Sequence, residues 1–226
     1  MSALAVAAAH QALSGAASPQ AGTPVDLLIG FFVLSAVPLL AVAATSFTRI
    51  IVVLGLLRAA LGAPSLPPNA VLAALAIMLT AAIMSPTLQR IDDDAVRPYL
   101  AHHLTPAQAI ARGAEPLRAF MLRQARPADV AAFTRMAHEK DSAPAQASFL
   151  VVAPAFLVGE LRAAFAMGFA LALPFAVVDM VTAAVLMSLG MFMVSPATLS
   201  LPVKLLLFVV ADGWTLVAGA LAASFR

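Results

Sequence analysis

Charge is distributed very unevenly along this chain. Of its 24 charged residues, 15 fall between Arg90 and Asp141, together with three of the four histidines. The sequence on either side is almost wholly apolar, in the segments 25–62, 68–86, 149–195 and 203–225. A helix needs roughly 20 apolar residues to cross the hydrocarbon of a bilayer, and several of these segments reach or pass that length. Only 11% of the chain is charged, whereas soluble domains run near 25%. The pattern predicts a membrane-class protein interrupted by one polar insertion. Alanine and leucine dominate and strand-like alternation is absent, so the fold class is all-α, built of broken apolar helical hairpins.

The chain falls into four regions. Residues 1–24 form a small-residue-rich leader, turn-rich after Ser14. It has no Lys or Arg ahead of its weak apolar run, so a cleaved signal peptide and a disordered leader both stay open. Residues 25–86 are apolar helical segments, 87–148 the polar helical insertion, and 149–226 apolar helical segments again. Arg49 and Arg58, with no acid beside them, favour the cytoplasmic side for the first connection, which puts the insertion in the periplasm. Within it, Thr105 with Pro106 starts a helix that Gly113 is expected to end. Pro116 is expected to open a second helix carrying Leu117, Phe120, Met121 and Gln124 on one face. Pro127 opens a third, with Val130, Phe133, Met136 and Ala137. Pro154 and Pro174 predict interruptions in 149–195.

Several classes of chemistry are excluded or unsupported. There are no cysteines, so disulfides, thiolate metal sites and thiol nucleophiles cannot occur. His102 and His103 are adjacent rather than a helical turn apart, and no third ligand stands near. Asp92–Asp94 lack the spacing and glycine of a calcium loop and are expected to cap a helix. No nucleophile elbow or phosphate loop is present, so neither an enzyme nor a cofactor is expected. Net charge is +2 with no basic run, which gives nucleic acid little to bind.

Charged residues inside or beside the apolar segments carry more information. Arg49, Arg58, Glu160, Arg162, Asp179, Lys204 and Asp212 stand where each costs roughly 2.5–3.5 kcal/mol on insertion scales. Glu160 and Arg162 are two residues apart, on opposite faces of a helix, so each is expected to find its partner on another helix or another subunit. Plainer readings exist for others. Arg49 and Arg58 fit interfacial anchors, Lys204 a side chain snorkelling to the interface, and Asp179 either helix–helix glue or a relay. Asp179 with Glu160 would also suit the ion sites of a small secondary transporter, although no matching halves are visible. The stretch "LMSLGMFMVSPATLSLP", 186–202, gathers Met187, Met191, Phe192 and Met193 around Gly190, ahead of Pro196 and Pro202. Methionine is unbranched and polarizable, so such a loop can adapt to varied partners.

An ordered series of strings resembles the FliP family of flagellar type III protein export. It runs through "TSFTRIIVVLGLLRAALGAPSLPPN" (45–69), "IMSP" (83–86), "EPLRAFML" (115–122), "ELRAAFAMGF" (160–169), "LPFAVVDMV" (173–181), "LMSLGMFM" (186–193), "LPVKLLLFV" (201–209) and "DGW" (212–214). The likeness spans about residues 27–225 and is shared, more distantly, with the injectisome counterpart of that family. "SFTRII" and "IMSP" lean flagellar, whereas "DGWTL" also suits the injectisome side. The resemblance implies a core export-gate subunit in the bacterial inner membrane, within the flagellar basal body. Five copies would assemble with FliQ and FliR homologues and other export-apparatus proteins, in contact with membrane lipid. The conical helical assembly would pass unfolded rod, hook and filament subunits through a central pore. In the family a methionine-rich loop seals that pore, and its positions map here onto Met191, Phe192 and Met193, with Met187 alongside. The resemblance further leads us to expect intersubunit charge contacts at Glu160, Arg162, Asp179 and Lys204. Arg49, Arg58, Asp212 and Trp214 are expected at assembly interfaces. The chain departs from the family pattern in placing Phe192 amid the methionines and in carrying Gly159 and Arg162 where Ser and Lys are usual.

Overall fold

The computed structural model describes residues 42–138 and 147–225, with Phe31 and Ser35 of the preceding segment. The leader 1–24 and the start of the first apolar segment lie outside the described residues. The chain divides into two units, 1–41 and 42–226, and every helix whose bounds are described belongs to the second. Among the described residues every regular element is a helix.

Helix α1 (Phe47–Leu61) is the most deeply buried of the described helices. Ile50, Val53, Leu54, Leu57 and Leu61 are buried, at the spacing that puts them on one face. The helix stops at Gly62, whose φ of 77° is the left-handed conformation that glycine accepts without penalty. Helix α2 (Asn69–Ile91) runs without interruption into a π-helical turn, Asp92–Val96, and then α3 (Arg97–Leu100). Asp92–Asp94 therefore widen a continuous helix instead of capping one. Arg97 answers two of them, bonding Asp92 at 2.8 Å and approaching Asp93 at 3.1 Å.

The insertion contains α4 (Pro106–Gln124) and α5 (Pro127–Met136). The start of α4 is as expected: Thr105 accepts from the Gln108 amide, and the Gln108 side chain accepts from the Thr105 amide. Its interior is not as expected, because Gly113 does not end it and Pro116 does not begin another. The ring of Pro116 is buried inside one helix of 19 residues. Phe120 and Met121 then face a core with Val130 of α5 and Val151, Val152, Ala155 and Phe156 of the next helix. Met136 of the expected α5 face is instead 70% exposed.

That next helix, α6 (Phe149–Ser188), has 40 residues and passes through both Pro154 and Pro174. The expected breaks do not occur. A proline removes one backbone bond and crowds the preceding turn, but the flanks are rich in strong helix formers. α6 packs along α1 through Ala164, Gly168 and Phe175. At 1.5 Å per residue it is about 60 Å long, twice the hydrocarbon thickness of a bilayer. Helices α7 (Pro196–Val210) and α8 (Gly213–Ala223) meet at a 64° bend. At that bend Asp212 adopts φ 50°. A side chain at Gly213 would collide with the Phe208 ring, so only glycine lets the bend close there. Among the described residues two helical runs, Asn69–Leu100 and Phe149–Ser188, are long and apolar enough to cross a membrane, and three if α7 and α8 form one bent span.

α6 approaches α1 closely at Gly168. A Cβ there would lie 2.9 Å from the Leu56 Cβ, whereas one at Gly159 would meet open space. Gly168→Ala should therefore destabilise the fold by about 1–3 kcal/mol through overpacking. Gly159→Ala should instead gain up to about 1 kcal/mol of helix propensity. Denaturant titration of both purified variants in detergent checks the pair; equal stability would mean that the close approach is not real.

Candidate functional site

Two sets of polar groups and one loop stand out from the apolar framework. The first set centres on Arg49, which is 5% exposed, and Glu160, which is 1% exposed. Arg49 Nε donates to Glu160 Oε2 at 2.8 Å and Nη2 to Oε1 at 2.5 Å, a forked pair that only a planar guanidinium can make. Nη1 donates to both the carbonyl and the hydroxyl of Ser224, each at 2.9 Å. The Phe225 ring lies over the guanidinium with its centroid 3.9 Å from Cζ, near enough for a cation–π contact. Arg49 is thus no interfacial anchor. It ties α1 to α6 and to the end of α8.

The second set ties the α6–α7 hairpin to α1. Lys204 Nζ donates to Asp179 Oδ2 at 2.5 Å and to the Ala60 carbonyl at 3.3 Å. Ser200 Oγ donates to Asp179 Oδ1 at 2.5 Å. Lys204 does not snorkel; it is buried, one turn along α7 from buried Ser200. A cation also suits the Ala60 carbonyl, which belongs to the last turn of α1.

Arg162 points away from Glu160, as the spacing predicts, and reaches Asp129 of α5 at 2.8 and 3.2 Å. Glu160, Arg162, Asp179 and Lys204 therefore all find partners within the chain. Of the two alternatives the spacing left open for Glu160 and Arg162, a partner on another helix is the one seen within the chain. Arg58 bonds Asn69 Oδ1 at 2.5 Å across the α1–α2 connection. Asp212 is exposed and accepts from Thr215 Oγ1 at 3.1 Å. Trp214 meets Phe208 edge-on at 5.1 Å. Sequence reasoning misses Ser200, Ser224, Phe225 and Asp129 as partners because no periodicity links residues so far apart in the chain. Among the described residues no group of three metal-ligating side chains comes together.

The loop joins α6 to α7 at the tip of their hairpin. Gly190 turns the chain with φ 70°, and Pro196 opens α7. Between them Met191 is 42%, Phe192 79% and Met193 99% exposed, with Met187 just before at 58%. These are not core methionines. This apolar tip has little cover among the described residues, which leaves it open to contact from outside.

Fold and site together define an all-α protein with membrane-spanning-capable helices, ion pairs Arg49–Glu160 and Asp179–Lys204 within the chain, and an exposed apolar loop. A sequence model of the FliP family matches residues 31–221. The chain is 53% identical over 182 residues to the flagellar biosynthetic protein FliP of Pectobacterium carotovorum, covering 80% of this chain and 70% of that one. It is 44% identical over 208 residues to that of Buchnera aphidicola from Acyrthosiphon pisum, covering 90% of this chain and 54% of the relative. With that of Bacillus subtilis it shares 40% identity over 202 residues, 89% of this chain and 91% of the relative. The chain belongs to the FliP family.

Removing one partner of the buried pair strands the other charge in the core. Glu160→Gln should cost about 3–5 kcal/mol, whereas the apolar double replacement Arg49→Met/Glu160→Leu should be near neutral or stabilising. A double-mutant cycle in detergent measures both. Additive losses would show that the two side chains are not coupled.

Proposed function

We propose that this chain is a pore-forming core subunit of the flagellar type III protein export apparatus. In this reading about five copies assemble with FliQ and FliR homologues in the inner-membrane part of the basal body. Unfolded rod, hook and filament subunits then pass through the centre. The coarse part, a membrane-associated role in flagellar export, follows from family membership, and the family is one of structural transport proteins and no known enzyme class.

The observation that carries the finer part is the exposed tip Met191–Phe192–Met193 on its hairpin. Repeated around a symmetry axis, five such tips would form an apolar ring. Thioethers can close a hole against ions and still yield to chains of varied shape. Phe192 fills more volume with fewer rotamers than the methionine it replaces, so closure should be tighter and less compliant. The outer face of α6 supports assembly too. Phe165, Phe169, Leu173, Val177, Met180 and Val181 are each at least half exposed, a continuous apolar surface that only lipid or protein can cover. The transporter reading loses its support, because Asp179 and Glu160 are both engaged in ion pairs within the chain.

Native mass spectrometry of the chain co-expressed with its FliQ and FliR homologues tests the assembly. A five-copy complex recruiting both is the expected result; a monomer indifferent to both would overturn the proposal. In the assembled complex, Phe192→Met should raise ion leak and Phe192→Gly should raise it further, both read as conductance in planar bilayers. Unchanged conductance in both variants would remove the loop from the seal.

A further inference from the structure

The α6–α7 hairpin is held down in an unusual way. Of the 15 residues of α7 only Ser200, Lys204 and Phe208 are buried, one turn apart along a single line. Two of the three are polar, so apolar packing contributes little to fixing this arm. Beyond Asp179 on α6 and Lys204 on α7, toward the tip, only Leu186 and Ser200 are buried. The Asp179–Lys204–Ser200 cluster is therefore the last firm tie before the loop. It lies at nearly equal distances from the tip, with Asp179 twelve residues before Met191 and Lys204 eleven after Met193. Lys204 also reaches the Ala60 carbonyl, which attaches the tie to α1, the most deeply buried helix.

The geometry points to Asp179, Lys204 and Ser200 as positioning residues of the loop: a polar clamp that fixes both arms of the hairpin against α1 and so sets where Met191–Met193 stand. The clamp itself is a property of the single chain. Its consequence for sealing rests on the proposed pore function. If the clamp opens, nothing else of comparable strength holds the distal nine residues of α6 or the start of α7, and the tip loses its fixed position. Asp179 is the accessible member, its side chain 44% exposed against 6% for Lys204. A passing chain or a neighbouring subunit could compete for it without unburying the lysine.

The chain contains no cysteine, so two spin labels can be placed in this chain alone, and mixing it with an excess of unlabelled chain before assembly leaves one labelled copy per complex. Ala184→Cys and Leu199→Cys put one exposed label on each arm beyond the clamp. Electron–electron distance measurement should give a narrow distribution in the parent. Asp179→Asn and Lys204→Met should broaden it and shift it to longer distance, with Ser200→Ala giving a smaller effect. Asp179→Glu, which keeps a carboxylate for Lys204 and Ser200 and leaves the Ala60 bond in place, should stay close to the parent width, which a merely structural loss of packing would not do. Helical content by circular dichroism verifies that each variant is folded, and the milder Ser200→Ala stands in if the charge variants are not.

Unchanged distributions in folded Asp179→Asn and Ser200→Ala would overturn the clamp. Conductance of the same samples separates the two proposals. Broadening with a several-fold rise in leak supports both the clamp and the seal. Broadening with no rise in leak keeps the clamp and overturns the seal.

Discussion

Everything else in this structure is arranged around a forked ion pair with almost no access to water. Taking a guanidinium and a carboxylate out of water costs several kcal/mol per ion, which their attraction offsets only if every remaining hydrogen-bonding direction is satisfied. Arg49 meets that condition with Glu160 on one edge, Ser224 on another and the Phe225 ring over its face. Phe225 stacks in turn near Phe120, which meets Phe156 edge-on, so the pair is continuous with the core beneath the insertion. On its other side, α6 continues Glu160, Ala164, Gly168, Phe175 as its inner face. The small residues let α6 settle close to α1 directly beside the pair. Register between the two central helices is thus set by a charge and kept by a glycine.

Pairing the charges inside has a consequence outside. α6 presents phenylalanines, leucine, valines and methionine to its surroundings, with Arg162, held by Asp129, as the polar exception near the insertion. A chain that needed its partners for neutralisation would be costly to insert before they arrived. Here Arg49, Glu160, Asp179 and Lys204 are paired within the chain, and much of what stays uncovered among the described residues is apolar area. Such a surface accepts lipid and protein on similar terms, since lipid tails are as apolar as leucine.

The sequence makes some of this plain and hides the rest, for identifiable reasons. The all-α class, the polar insertion and the Thr105 start are legible because each is a local signal. Gly113, Pro116, Pro154 and Pro174 mislead for the same reason. Local rules place breaks there, and the buried Pro116 and the long contact of α6 with α1 outweigh them. Asp92–Asp94 resemble a cap because a π-turn leaves no mark on hydrophobic periodicity. The opposed directions of Glu160 and Arg162 are legible from their spacing; the identities of Arg49 and Asp129 as partners are not. Residues 111 positions apart, as Arg49 and Glu160 are, share no pattern along the chain.

The loop is legible as chemistry and not as geometry. Methionines around a glycine announce adaptability, but the same residues could have packed in a core, and only their exposure distinguishes the two. The contrast with the base of the hairpin explains why both are needed. A compliant tip on a compliant arm would have no defined position. A rigid tip on a rigid arm could close on nothing, or on one shape alone. Here compliance is confined to unbranched side chains beyond Gly190, while the arms below are fixed by ion pairs and hydrogen bonds of defined direction. Phe192 shifts that balance toward rigidity at the outermost point, where its ring is 79% exposed. Such a substitution is tolerable because the flanking Met191 and Met193 retain the freedom to fill whatever space the ring leaves.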